Sequence, residues 1–357
     1  MSDRPDLIFT RCQQSKQGYL TIKMAINRAL ILAFLPASNN GLSFRGTEVA
    51  LFDYMDKSET ILKNTSILCI GKAATNEPKV LDRFSKRFPI VWFSDTKDLE
   101  NQLSERKIDA LYSIRASPKD GITLTSIPVL VHCVYSMTPT GNELVRAGVS
   151  KSVTGNDHSF VPHMVNLSET NDDYRKLLSI PETALVFGRH GGADTFDLNF
   201  VKDTILHILQ TTSDIYFLFA VRPHCLYDVP HPRLICLESF SDPIVKRKFI
   251  NTCSAMLHAQ SMGETFGLSI AEFSTANKPV IVWEGGKVQE HLRILGEKCI
   301  KYRNREELIQ ILTSFRERSL ERKDWNAYGE YCPEKVMKQF EDVFLFPLKR
   351  KILLADK

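Results

Sequence analysis

Short apolar runs rich in β-branched and aromatic residues alternate with amphipathic stretches from end to end of the chain. This pattern predicts an α/β protein with mainly parallel sheets. Ala29–Leu35, Ser66–Ile70, Ile90–Phe93, Ala110–Ser113 and Val129–Val134 read as the strands of a first sheet, and Leu185–Gly188, Tyr216–Val221, Arg233–Leu237, Ala255–His258 and Val280–Trp283 as those of a second. Amphipathic segments such as Leu99–Lys107, Phe200–Gln210 and Pro243–Asn251 fill the crossovers. Two such series predict two doubly wound, Rossmann-like domains facing a cleft, with ligands at the carboxyl ends of the strands. The boundary falls near Pro162-His163-Met164-Val165-Asn166, where a proline and polar residues separate the series, giving domains over 1–165 and 166–330. Pro333-Glu334-Lys335-Val336-Met337-Lys338-Gln339-Phe340 then starts a last helix with proline in its first turn, so 331–357 is expected to be a final helix and tail.

Composition adds limits. A length of 357 residues suits about two domains, and 43% apolar with 25% charged residues is the balance of a globular protein. A net charge of +4 gives no case for a nucleic-acid partner. Eight cysteines (Cys12, Cys69, Cys133, Cys225, Cys236, Cys253, Cys299, Cys332) are scattered without a Cys-x-x-Cys pair, which reads as free thiols in a reducing compartment. Met1-Ser2-Asp3-Arg4-Pro5-Asp6 is no signal peptide and Ala29–Leu35 is too short to span a bilayer, so a cytoplasmic location is expected. The sequons at Asn64 and Asn166 then carry no meaning. Lys349-Arg350-Lys351-Ile352-Leu353-Leu354 would make at most a weak peripheral contact with an anionic membrane, a solvated tail being the simpler reading.

The chain commits to a chemistry in Gly263-Glu264-Thr265-Phe266-Gly267-Leu268-Ser269-Ile270-Ala271-Glu272, where two glutamates stand with seven residues between them. The glycines let the backbone turn and approach a ligand, and Leu268–Ala276 reads as a helix opening at that turn. Its free N–H groups, those of Phe266, Gly267 and Leu268 among them, would face an anion. Glu264 in the loop and Glu272 on the second turn would flank that anion, and carboxylates, being acceptors, suit hydroxyl pairs. A ligand with a phosphate centre and polyol ends fits, and a nucleotide-sugar is such a ligand. No His-Glu-x-x-His spacing, Asp-x-Asp pair, Gly-x-Gly-x-x-Gly or P-loop motif occurs, so no metal site is expected, and no cofactor beyond the donor substrate itself.

This segment resembles the glutamate–seven–glutamate signature of the GT-B glycosyltransferases, especially the retaining family four. Its flanks, Asn251–His258 before it and Asn277–Val282, Gly285-Gly286 and Glu290 after it, resemble the rest of that family's donor-binding half. The resemblance implies sugar transfer from a nucleoside-diphosphate sugar to an acceptor that the chain does not reveal, with retention and without a metal. It implies roles for Glu272 on the ribose, for Glu264 with Phe266, Gly267 and Leu268 on sugar and phosphates, and for Arg189, at the end of Leu185-Val186-Phe187-Gly188-Arg189, on the departing diphosphate. It further implies His132 against the sugar from across the cleft, and a donor-side loop at Gly46. Gly188, Gly191 and Gly192 are placed at the phosphates, and His258 within reach of sugar or phosphate. One departure stands out: the family's lysine five residues after the arginine is Asp194 here. A GT-B nucleotide-sugar epimerase and a catalytically silent nucleotide- or sugar-binding protein remain as alternative readings.

Overall fold

The computed structural model describes residues 28–37, 41–116, 122–139, 141–320 and 322–355. The start Met1–Asp6 and Cys12 lie outside the described residues. In chain order the strands and helices are β1 (Ile31–Leu35), α1 (Gly46–Thr60), β2 (Thr65–Gly71), α2 (Pro78–Ser85), β3 (Ile90–Phe93), α3 (Thr96–Glu105), β4 (Ala110–Arg115), β5 (Val129–Cys133), β6 (Glu143–Gly148) and α4 (Lys151–Thr154). There follow β7 (Leu185–His190), α5 (Asn199–Thr211), β8 (Ile215–Ala220), β9 (Leu234–Leu237), α6 (Pro243–Thr252), β10 (Ala255–His258), β11 (Gly263–Glu264), α7 (Leu268–Thr275), β12 (Val280–Trp283), β13 (Val288–Gln289) and α8 (Glu290–Leu295). The remainder is β14 (Ile300–Tyr302), α9 (Arg305–Thr313), α10 (Phe315–Leu320), α11 (Pro333–Phe340), a π-helical turn over Glu341–Leu345, and α12 (Phe346–Ala355).

Two six-stranded sheets result, ordered β3-β2-β1-β4-β5-β6 and β14-β12-β10-β7-β8-β9, with a small β11-β13 pair beside the second. All the pairings are parallel. Because a parallel sheet carries its crossovers on its faces, both faces are covered and the central strands are mostly apolar. Period-two alternation divides each strand between two layers: Leu32 and Phe34 point toward α1 and α2, Ala33 and Leu35 toward α3. In the second sheet Phe187 and Phe217 face α5 and α9, while Val186 and Leu218 face α6 and α7. The strand order reverses between β1 and β4 in one sheet and between β7 and β10 in the other, and crevices open at such points.

The expected strands are all present, with ends shifted by one or two residues. Four were not expected: the two-residue β11 and β13, which pair only with each other, and β6 and β14. β6 carries Glu143 and Arg146, which stand 3.7 Å apart, and β14 has only three residues; both are edge strands, where burial imposes little apolar pattern. Residues 162–165, read as a polar connection, are buried: Tyr54 donates to the Pro162 carbonyl at 2.8 Å, and His163 packs among rings.

The final helices return to the first sheet. Val336, Met337, Phe340, Phe344, Leu345 and Leu348 join the same core layer as Leu32, Tyr54 and Tyr112, with Phe340 stacked 5.2 Å from Tyr54. Of the basic tail residues, Lys349 is buried and paired with Glu341 at 2.8 Å, leaving less charge for a membrane surface. Among the described residues no helix is long and apolar enough to cross a membrane. Phe340→Ala should destabilise the protein by about 3–5 kcal/mol, because it empties a fully buried aromatic site between α11 and the first sheet. The check is urea unfolding, in which the midpoint should fall with the slope preserved; an unshifted midpoint would mean that α11 adds nothing to that core.

Candidate functional site

The switch point of the second sheet assembles most of the residues singled out above. β7 ends in Arg189 and His190, β10 ends in His258, and the loop after β10 runs through β11 into α7. α7 begins where expected because Gly267, at φ 79°, adopts a left-handed conformation that other residues enter at a cost, which turns the chain abruptly into the helix. No side chain caps this end, so its first N–H groups keep their hydrogen-bonding capacity for a ligand. Across the opening, α1 also starts without a side-chain cap, and a Cβ built on Gly46 would stand 4.0 Å from a Leu268 methyl. Two helix N-termini, one from each sheet's layer, therefore meet at one place, and both favour negative charge.

Arg189 lies at this place and is buried. Its Nη2 donates to the Gly192 carbonyl at 2.5 Å and to the Thr195 hydroxyl, and its guanidinium lies 5.4 Å from the Phe196 ring centroid. Nη1 is buried without a hydrogen-bond partner. Burial lowers the Arg189 pKa to about 10, with Glu264, Cys225 and Asp194 pulling the other way, so it remains a cation at neutral pH. A buried cationic donor left unpaired is costly, and an anionic ligand would remove that cost. Gly191 lies close by, a Cβ on it falling 3.1 Å from Arg189 Nη2. The contact that Gly192 makes is through its carbonyl, which positions the arginine. Gly188 belongs elsewhere: a Cβ there would come within 2.1 Å of Cys253 Sγ, so its place in β7 is set by core packing and not by a ligand.

Glu264 is partly exposed, and its carboxylate stands 3.7 Å from His258 Nε2. Neither ring nitrogen of buried His258 has a hydrogen-bond partner, and His291 of α8 packs 5.1 Å away, its pKa pushed down to about 3 by burial and by His258. Phe266 is a core side chain, packed against His163, Tyr328 and Tyr331, while its carbonyl accepts from the Tyr328 hydroxyl at 2.8 Å.

Glu272 is buried and holds two partners that the sequence reading missed. Lys246 of α6 donates to Oε1 at 2.5 Å, and His190 Nε2 stands 3.1 Å from Oε2. Burial alone would raise the Glu272 pKa, but the Lys246 ammonium and His190 overcome it and hold the carboxyl at about 2. The signal for Lys246 was its position: with Phe249 and Ile250 it falls on the buried stripe of α6, where a lysine needs a partner. The stack of His190 on Phe273, at 5.8 Å, fixes that ring. Asp53 of α1 adds to the same field; its pKa is raised to about 6 by burial, against the hydrogen bond from Asn166 and the charges of Lys246 and Arg83.

His132 is corrected by the structure. It lies in the first sheet's core and not at the cleft: Tyr112 bonds its Nδ1 at 2.7 Å, its Nε2 lies 2.8 Å from the Val161 carbonyl, and the rings of Tyr54, His163 and Phe344 surround it. The carbonyl requires a proton on Nε2, which leaves Nδ1 to accept from the tyrosine. Burial lowers its pKa to about 4. Two residues past β5, half-exposed Tyr135 feels the charges of Glu264, Arg45 and Asp194. Among the described residues no three His, Cys, Asp or Glu side chains stand together as metal ligands.

No family model matches the chain, and no curated protein matches it in sequence. Solved structures do match. A glycosyltransferase from Rickettsia africae ESF-5 is similar over 92% of this chain and 98% of its own, at 16% identity and a TM-score of 0.60. HepE from Anabaena, in complex with UDP-glucose, is similar over 91% of this chain and 99% of its own, at 12% identity and a TM-score of 0.59. MnaA from S. aureus, in a co-structure with UDP, is similar over 89% and 98%, at 11% identity and a TM-score of 0.56. At these identities the likeness is one of fold, and this chain has the GT-B architecture of two Rossmann-like domains.

Two outcomes follow for the buried ionisable groups. Lys246→Ala should cost about 3–5 kcal/mol, since it takes the lysine ammonium from a buried carboxylate and leaves only His190 beside it, whereas Lys246→Met combined with Glu272→Leu should recover most of that loss; equal stability of the two in urea would show that the pair is not electrostatically coupled. Burial holds His132 at about 4 when folded, below the 6.5 of an exposed histidine, so its contribution is complete above pH 6.5 and is lost as pH falls from 6.5 through 4. The stability difference between wild type and His132→Gln should therefore shrink over that window, by at most about 1.4 kcal/mol per pH unit, and a difference that stays constant would mean that the ring does not titrate there.

Proposed function

We propose that the chain is a glycosyltransferase that moves a sugar from a nucleoside-diphosphate donor to an acceptor, with retention and without a required metal. The observation that carries this reading is the buried Arg189, with one nitrogen unpaired, beside the uncapped N-terminus of α7 at the switch point of the second sheet. A diphosphate supplies what that place lacks: acceptor oxygens and negative charge. Similar structures were solved with UDP-glucose and with UDP, which supports a nucleotide-sugar as the ligand.

In this reading Glu272 receives the ribose. Lys246 and His190 take one position on each carboxylate oxygen, and each oxygen retains a further lone pair for a hydroxyl. Glu264, with His258 beside it, holds the sugar, and the N–H groups at the start of α7 hold the phosphates together with Arg189. Gly46 lets α1 approach the same phosphates from the opposite domain. As the glycosidic bond breaks, charge grows on the leaving diphosphate, and these donors are already oriented toward it, so catalysis is positioning and fixed electrostatics in a closed cleft.

Thermal shift with UDP, GDP, ADP and dTDP tests the site first: one of the four should raise Tm, and at a hundredfold excess over Kd the stabilisation is about 2.7 kcal/mol. Calorimetry on Glu272→Ala should then show a loss of about 1.5–3 kcal/mol in affinity for that nucleotide. Transfer should continue in excess EDTA and should fall steeply in Arg189→Ala. Absence of any nucleotide response would sink the reading. Activity that EDTA abolishes and magnesium restores would overturn the account of the leaving group. A donor returned chemically altered without acceptor would favour an epimerase.

A further inference from the structure

The charges around the opening do not balance the ligand proposed above, and the imbalance points to a residue not yet assigned. Arg189 lies in the field of two carboxylates, Glu264 and Asp194. Lys246 is committed to Glu272. Arg45, at the end of the loop leading into α1, extends from the first domain toward the second, where its Nη2 stands 3.8 Å from Asp194 Oδ2. Both side chains are more than half exposed, at 61% and 55%, so the pair is weak and readily exchanged for a stronger partner. Arg45 immediately precedes Gly46, whose Cβ position is 4.0 Å from Leu268 at the start of α7, so its guanidinium arises next to the place where the two helix ends meet. The charges of Glu264, Arg45 and Asp194 all act on the Tyr135 hydroxyl, in keeping with the Arg45–Asp194 contact.

We propose that Arg45 is the second cation of the diphosphate site, supplied from the opposite domain, and that Asp194 holds it when the site is empty. The proposal rests on the nucleotide-sugar reading and deepens it. An arginine presents a planar fork that can bind two phosphate oxygens, and a diphosphate offers more charge at short range than one exposed carboxylate. Binding would then exchange the Arg45–Asp194 pair for an Arg45–phosphate pair and draw α1 toward α7, coupling donor arrival to closure of the cleft. Asp194 would act as a competitor for the cation and not as a direct ligand.

The experiment is calorimetry with whichever of UDP, GDP, ADP and dTDP binds wild type best, using its monophosphate as reference, on Arg45→Gln, Asp194→Asn and the double variant. Both side chains are exposed, so the variants should fold, and thermal unfolding verifies it. Arg45→Gln should weaken the diphosphate about tenfold and change the monophosphate by less than about twofold. Asp194→Asn should tighten the diphosphate about fivefold when Arg45 is present and not at all in the double variant, the signature of two residues acting through one another. An unchanged preference for diphosphate over monophosphate in Arg45→Gln would overturn the proposal while leaving the nucleotide reading intact. An Asp194→Asn gain that persists without Arg45 would also overturn it, showing that Asp194 repels the phosphates directly. Wild type that binds none of the four removes the nucleotide reading itself, and the proposal with it.

Discussion

The chain passes between its two sheets twice, and the two passages are tied together. Residues 161–165 lead from the first sheet toward the second, and residues 329–333 lead back to α11; between them the Val165 N–H donates to the Tyr331 carbonyl at 2.9 Å. Because the last helices complete the core layer of the first sheet, that sheet's packing is not finished by its own contiguous stretch of chain. The ring series His132, His163, Phe266, Tyr328 continues this connection, running from the first sheet's core to the turn that starts α7. Any motion of one domain relative to the other must pivot on this buried strip, which lies beside the loop bearing Glu264.

Charge is arranged around that opening in two ways. Behind it, Glu272, Lys246 and His190 form a buried group whose members hold one another in fixed orientations, at a desolvation cost that their mutual attraction offsets. At its rim, Arg45 and Asp194 are exposed and loosely paired. The first arrangement favours a rigid shape for the part of the ligand that is recognised, and the second leaves side chains able to rearrange. Arg189 lies between, held by the Gly192 carbonyl and the Thr195 hydroxyl with a nitrogen to spare.

Much of this was legible in the sequence, for reasons that differ by residue. The central strands announced themselves because both faces of a parallel sheet are buried, so β7, β10 and β12 are apolar runs bounded by turns. The start of α7 was legible because Gly267 is the residue type that tolerates the turn. The edge strands β6 and β14 were not, since an edge needs few apolar residues. His132 misled because a histidine at the end of a strand has the same sequence appearance whether its ring faces a cleft or a core; only Tyr112 and the Val161 carbonyl, distant in sequence, decide between them. Lys246 and Arg45 escaped for a related reason, their partners Glu272 and Asp194 being brought near by topology alone.

The π-helical turn at Glu341–Leu345 has a consequence for how this chain can vary in length. By widening one turn it accommodates a residue that a regular helix would not, while Phe340, Phe344, Leu345 and Leu348 all remain on the face toward the first sheet. Loss of that one residue would restore regular helix and leave the helix beyond it on nearly the same face, whereas loss of Phe346 or Pro347, just past the turn, would rotate everything beyond it by about 100°. Leu348 would leave the core, and Lys349 would leave Glu341. The last helix therefore tolerates substitution at its exposed positions far better than it tolerates a change of frame along its axis, and an insertion or deletion there would be felt by the first sheet, although more than two hundred residues separate them in sequence from β4.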